Sequence, residues 1–194
     1  MAFAILGNAR RAVLANGKHM GRKRQQGFTM LELGLVLLIA AILGFIAVRQ
    51  YNGSRSDSKS QDEVSEMTRT LSKIQAAYSS LPDYAGVTTQ VLINNNVFDD
   101  SWVNTARTAV LNNFNGAVTA APFTLTNAND AVAVTSAGYD RAACGNLPMK
   151  VANAVRRLDI NGTTVMPVGG AVSPALVGTS CLANGNTFIL YVGK

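Results

Sequence analysis

One carboxylate, Glu32, lies in an otherwise uncharged run of 21 residues from Phe28 to Val48. A carboxylate in the first turns of a membrane-length helix costs a few kcal/mol unless it is paired or near the interface, so it asks for a use. Its spacing supplies a partner. If the chain is cut after Gly27, the new α-amino group on Phe28 stands four residues from Glu32, about one helical turn. Amine and carboxylate at one depth neutralise each other, within a chain or between copies. Between copies they would set the axial register of identical helices packed side by side.

The other reactive residues are few. His19 is the only histidine and precedes the apolar run, so residues 28–194 hold no imidazole for a triad, a proton shuttle or a zinc site. Asp99 and Asp100 are adjacent, and adjacent side chains point apart, which suits a solvated loop better than paired acid–base work. The Gly169–Gly170 pair and the Gly27/Gly34 spacing match no phosphate-binding loop. No catalytic, cofactor-binding or metal-binding residue is assigned, and no enzyme activity or cofactor is expected. Cys144 and Cys181 are the only cysteines. An even pair in a domain exported past a membrane favours a disulfide, with two buried thiols as the alternative.

These residues need elements to position them. At ~1.5 Å per residue the apolar run makes a helix of roughly 31 Å, enough to cross a hydrocarbon core of ~30 Å. It is longer than the ~7–15 residues of a secretory apolar region. Residues 1–27 carry Arg10, Arg11, Lys18, Arg22, Lys23 and Arg24 and no acid, which places the N-terminus in the cytoplasm. By hydropathy alone the segment also reads as a plain signal anchor, or as a signal peptide cut near Ala47. The six leader cations account for the whole net charge of +6, so residues 28–194 are neutral. Neutrality suits packing against many identical copies and gives nucleic-acid binding little support.

Gly27-Phe28-Thr29-Met30-Leu31-Glu32, followed by the apolar run, resembles the leader and N-terminus of type IV prepilins. The resemblance implies cleavage after Gly27 by a membrane aspartyl peptidase, N-methylation of Phe28 by the same enzyme, and a role for Glu32 in assembly. The 27-residue leader is similar to those of the type IVb branch. Cys144, Cys181 and the Asn161-Gly162-Thr163 stretch resemble the thin-pilus major pilins of IncI-type conjugative plasmids and, less closely, bundlin. The implied product is a homopolymeric surface fibre for adhesion, aggregation or conjugative mating-pair stabilisation. Implied partners are a prepilin peptidase and methylase, an assembly ATPase with an inner-membrane platform protein, and an outer-membrane secretin. The implied location is the inner membrane, then an extracellular pilus of a Gram-negative bacterium. A minor pilin, a type II secretion pseudopilin and a non-polymerising anchored domain are the competing readings.

The expected organisation is a leader over 1–27, a transmembrane and polymerisation half-helix over 28–48, an amphipathic half over 49–81 and a globular head over 82–194. Val64, Met67, Leu71, Ile74, Tyr78 and Leu81 recur every three or four residues, a helical stripe that Pro82 ends. Gly44 and Gly53 are candidate bends, and 52–60 a candidate stretch for melting. The head reads as α+β, a long N-terminal helix on an antiparallel sheet in a type IV pilin fold, with the cysteine pair stapling its C-terminal region. Strands are expected over 118–126, 131–135 and 187–192, and a hairpin turns at Asn161-Gly162. A helix capped by Asp140 should break near Gly145 and Pro148 and resume over 149–158. Residues 101–114 are a further candidate helix.

Overall fold

The computed structural model describes residues 29–194, with the backbone alone over 49–57. Helix α1 runs Met30–Ala77. Thr29 opens it: the Thr29 carbonyl accepts the Glu32 and Leu33 N–H groups at 3.0 and 3.1 Å, and its hydroxyl accepts from Glu32 at 3.3 Å. A hydroxyl three residues ahead takes one of the N–H groups a helix start leaves unpaired. The backbone is helical through Gly44 and Gly53. Beyond Ala77 the chain turns, and Tyr78 and Leu81 N–H groups bond back to Ile74 and Tyr78 carbonyls.

The chain divides at Gly44 and Phe45 into two compact units. In the second, the stripe of α1 is partly as expected. Met67, Leu71, Ile74 and Tyr78 are buried and Val64 packs against them. Leu81 lies past the helix end and is 47% exposed, so the stripe stops at Tyr78.

Six antiparallel strands form one sheet. They are β1 (Val110–Leu111), β2 (Ala117–Phe123), β3 (Ala131–Tyr139), β4 (Arg157–Ile160), β5 (Thr163–Met166) and β6 (Asn186–Gly193), in the spatial order β1-β2-β3-β6-β4-β5. The last strand therefore sits between β3 and β4, matching its apolar run from Thr187 to Val192. Register places Val118, Ala120, Val132, Val134, Leu190, Phe188, Leu158 and Ile160 on one face, and these share a core with the α1 stripe. Alternation along the strands is what allows this, since successive side chains leave opposite faces. Arg157, Asp159 and Tyr191 fall on the other face.

Several local expectations are corrected. Strand β2 ends at Phe123 rather than Thr126, because the Asp130 carboxylate collects the Leu125, Thr126 and Asn127 N–H groups and closes the loop there. Strand β3 continues past Thr135 to Tyr139. Helix α3 (Arg141–Val151), capped by Asp140 accepting from Ala143 at 2.7 Å, does not break at Gly145 or Pro148. Proline interrupts one hydrogen bond, but its ring is buried beside Ala143, Cys144, Leu147 and Val151, and packing outweighs propensity. The helix does not resume over 149–158. After a 3₁₀ turn, Ala152–Ala154, the chain becomes β4, where Leu158 and Ile160 alternate with Arg157 and Asp159 and pair with β6.

Residues 101–114 are not helical. The Asn104 side chain accepts from Thr108 and Ala109 N–H, Arg107 takes φ 53°, and the segment turns into β1. Two short helices were not anticipated. Helix α2 (Thr89–Asn94) is capped by Thr88, and α4 (Pro174–Ser180) by Ser173 with Pro174 in its first turn. The Asn161-Gly162 turn is as read, with φ 50° and 84°, the pair of positive values that a tight hairpin requires.

Candidate functional site

Within α1, Met30–Val48 has a mean hydropathy of 2.7, and no residue of it is buried. Its large apolar residues include Leu31 at 83% exposure, Leu37 at 63% and Phe45 at 62%. Fully covering each such side chain is worth roughly 1.5–3 kcal/mol, so more than a dozen together represent tens of kcal/mol that only a membrane or other apolar helices can supply. Among the described residues of this span Glu32 is the only charge. It sits in the first turn, where a carboxylate also favours the positive end of the helix dipole. Gly27 and Phe28, the expected cleavage and methylation positions, lie outside the described residues.

Past the span, a polar network fastens α1 to the head. Glu63 is fully buried on the same helix face as Met67, Thr70 and Ile74. Its carboxylate accepts the Tyr139 hydroxyl and, at 3.0 Å, the Asn113 N–H. Tyr139 shares its hydroxyl with Ser136 at 2.7 Å, and Asn112 Nδ2 donates to Ser136 Oγ at 2.9 Å and to the Ala137 carbonyl at 2.7 Å. Asn112 Oδ1 accepts from Phe114 and Gly116, holding the β1–β2 loop in place. Burial pushes the Glu63 carboxyl above its usual range despite these donors, and burial together with Glu63 pushes Tyr139 well up. The sequence did carry a signal: Glu63 stands four residues before Met67, on the buried face itself.

The C-terminal region is held by a disulfide and two polar clusters. Cys144 in α3 bonds Cys181 at the end of α4, with their Cα atoms 5.8 Å apart. Asn186 Nδ2 donates to the Tyr139 and Leu182 carbonyls, while its Oδ1 accepts from Leu182 N–H and Asn161 Nδ2. On the other face of the sheet, Arg157 donates twice to Asp159 at 2.9 and 2.7 Å, and the Tyr191 hydroxyl donates at 3.0 Å. Burial alone would raise Asp159. The bonds from Arg157, Thr164 and Tyr191 outweigh it and hold the carboxyl below its usual range, and burial with Asp159 pushes Tyr191 up to about 12.

None of these groups forms a reactive constellation. Asp99 accepts from Ser101, and Asp100 pairs with Arg107 at 3.2 Å, both as loop contacts. A groove of about 360 Å³ beside α1 is lined by hydroxyls, amides, Lys150 and Arg156, without a carboxylate. Among the described residues no group of three or more His, Cys, Asp or Glu could hold a metal.

Comparison with known proteins agrees with this arrangement. Residues 56–193 match the family model described as PilS N terminal. Two curated relatives, each a "Major structural subunit of bundle-forming pilus", come from Escherichia coli O127:H6 and O111:H-. Each is 28% identical over 132 residues, 67% of this chain and 67% of the relative. A solved type IV b pilin from Salmonella typhi superposes with a TM-score of 0.56 at 18% identity, covering 69% of this chain and 99% of that one. The fold is therefore the type IV pilin fold, and the resemblance to type IVb pilins read from the length of the leader holds for the head as well. With an apolar helix lacking any cover of its own, a head fastened to that helix's continuation, and a model match across most of the chain, this protein belongs to the PilS N terminal family and is homologous to major structural pilin subunits.

Proposed function

We propose that the chain is the major pilin of a type IVb pilus, made as a precursor and polymerised through its N-terminal helix. The single observation that carries this is the uncovered span Met30–Val48, whose one charge is at Glu32, joined to a pilin-family head. In the membrane, lipid covers the span. In a fibre, the same helices cover one another, and the head stays outside. Cleavage between Gly27 and Phe28 removes the basic leader, and the methylated Phe28 amine pairs with Glu32 to set the axial register. The domain scheme follows: leader 1–27, span 28–48, amphipathic half-helix 49–81, head 82–194.

The subunit's expected route is through the inner membrane of a Gram-negative cell, by a prepilin peptidase and methylase, an assembly ATPase with its platform protein, and a secretin. The fibre's use is adhesion, aggregation or stabilisation of mating pairs. The test is mass spectrometry of the subunit from sheared surface fibres, with Glu32→Ala assayed beside it. The expected result is an N-terminus at methylated Phe28 and loss of fibres in Glu32→Ala while the membrane pool persists. A chain starting at Met1, or fibres undiminished by Glu32→Ala, would overturn the reading.

A further inference from the structure

Four Asn-Gly pairs occur in residues 28–194, at 52–53, 115–116, 161–162 and 184–185. Glycine after asparagine leaves the next backbone nitrogen unhindered by a Cβ, so these are the positions most open to spontaneous deamidation. The reaction needs a free asparagine side chain and a free following N–H that can approach each other. By sequence the four are equivalent. In the structure they are not.

Residues 52–53 lie inside α1, where the backbone is helical and its N–H groups are spent along the helix. At 115–116 the Gly116 N–H donates to Asn112 Oδ1 at 2.8 Å in a buried position. At 161–162 the side chain itself is locked. Asn161 Nδ2 donates to the Ser180 carbonyl and Asn186 Oδ1, and its Oδ1 accepts from Thr187 N–H at 2.9 Å. Asn184 and Gly185 are both exposed, outside any helix or strand, and have no hydrogen bond to the described residues. Nothing lies within 4 Å of where a Gly185 side chain would project. The loop's two ends are nevertheless anchored, by Cys181 in the disulfide and by Asn186 bonded to Leu182.

We propose that Asn184 is a site of spontaneous deamidation, a covalent modification that the fold confines, among the four Asn-Gly pairs of residues 28–194, to this one. The Gly185 backbone nitrogen loses its proton and attacks the Asn184 side-chain carbon. A carbon–nitrogen bond forms to close a succinimide, the side-chain carbon–nitrogen bond breaks, and the nitrogen leaves as ammonia. Water then opens the ring at either carbonyl, giving aspartate or isoaspartate. No enzyme, oxidant or cofactor is required. Each event adds one negative charge to a chain whose residues 28–194 are otherwise balanced, and isoaspartate also lengthens the backbone between two anchored ends. In a polymer of such subunits, surface charge would change with the age of the fibre.

The test uses the full chain in detergent, incubated at neutral and mildly alkaline pH and followed by peptide mapping with isoaspartate detection. Conversion at 184 is expected about tenfold or more faster than at 115 or 161, whose reacting groups must first be freed by local opening. In denaturant the three rates should converge, since the protection is structural. Asn184→Gln, an exposed substitution compatible with folding, should abolish the charge change in the peptides of residues 28–194 of the folded protein. An intact Asn184, equal rates at the three positions in the folded chain, or an unchanged ranking in denaturant would each overturn the proposal.

Discussion

Tyr139→Phe removes one oxygen and almost no volume, and so isolates the buried bond between α1 and the sheet. The Phe ring keeps its contacts with Phe114 and Phe188, whose centroids lie 5.1 and 4.6 Å away. What is lost is the hydroxyl that Glu63 accepts and that Ser136 shares. A hydrogen bond to a charged group contributes ~1.5–3 kcal/mol, and stranding the Ser136 partner adds about 1 kcal/mol. At ~2–4 °C per kcal/mol for a chain of this size, Tm should fall by roughly 5–15 °C.

The pH dependence carries a second signature. The folded-state value of Glu63 is raised above 4.5, so the folded protein holds that proton more tightly than the unfolded chain. The burial penalty is absent below 4.5 and grows as pH rises through the folded value. A protonated Glu63 needs the Tyr139 donor less. The Tm difference between wild type and Tyr139→Phe should therefore be largest at neutral pH and shrink in mild acid. Thermal melts of the full chain in detergent, followed by circular dichroism, read both effects. A Tm change below about 1 °C, or a gap that does not vary with pH, would refute the claim that this bond fastens the helix.

Other perturbations test other parts of the head. Asp159→Asn removes a buried carboxylate and leaves the half-buried Arg157 without its partner, and should cost about 1.5–3 kcal/mol by urea unfolding. Because the Asp159 value is lowered, that contribution is present above 3.8 in the wild type and is lost as pH falls through the folded value, so the two proteins should converge in strong acid. Cys144→Ser opens a bridge of sequence separation 37 and should remove on the order of 4 kcal/mol, seen as a lower urea midpoint and reduced pilin levels. Normal accumulation and stability would contradict a stapling role. Gly116→Ala drives a Cβ to 1.6 Å from the Ala137 carbonyl oxygen, a clash between backbones that no rotamer relieves, and should leave no soluble head on expression.

Much of this molecule was legible because its signals are local. The α1 stripe recurs at helical period, Asn161-Gly162 has the chemistry of a tight hairpin, and Thr187–Val192 is apolar enough for a central strand. The misreadings share one cause. Residues 101–114, Pro148 in α3 and Arg157–Ile160 are places where propensity is weak and a specific side-chain, packing or strand partner decides. Asn104 spends its side chain on the nearby backbone, the buried face of α3 tolerates the proline, and β4 is drawn into the sheet by β6, which follows it only after β5 and α4. Periodicity cannot report a partner that is remote in sequence.

The N-terminal site divides the same way. Composition and order alone determined that a basic leader precedes a neutral remainder, and that an apolar run of membrane length holds one carboxylate at Glu32. Charge and hydropathy are properties of the residues and need no fold to be true. That Glu63 is buried rather than solvated, and which of the four Asn-Gly pairs in residues 28–194 stands free, only the tertiary structure decided. A hydrogen bond, and the protection it confers, exists only once the fold holds donor and acceptor within about 3 Å.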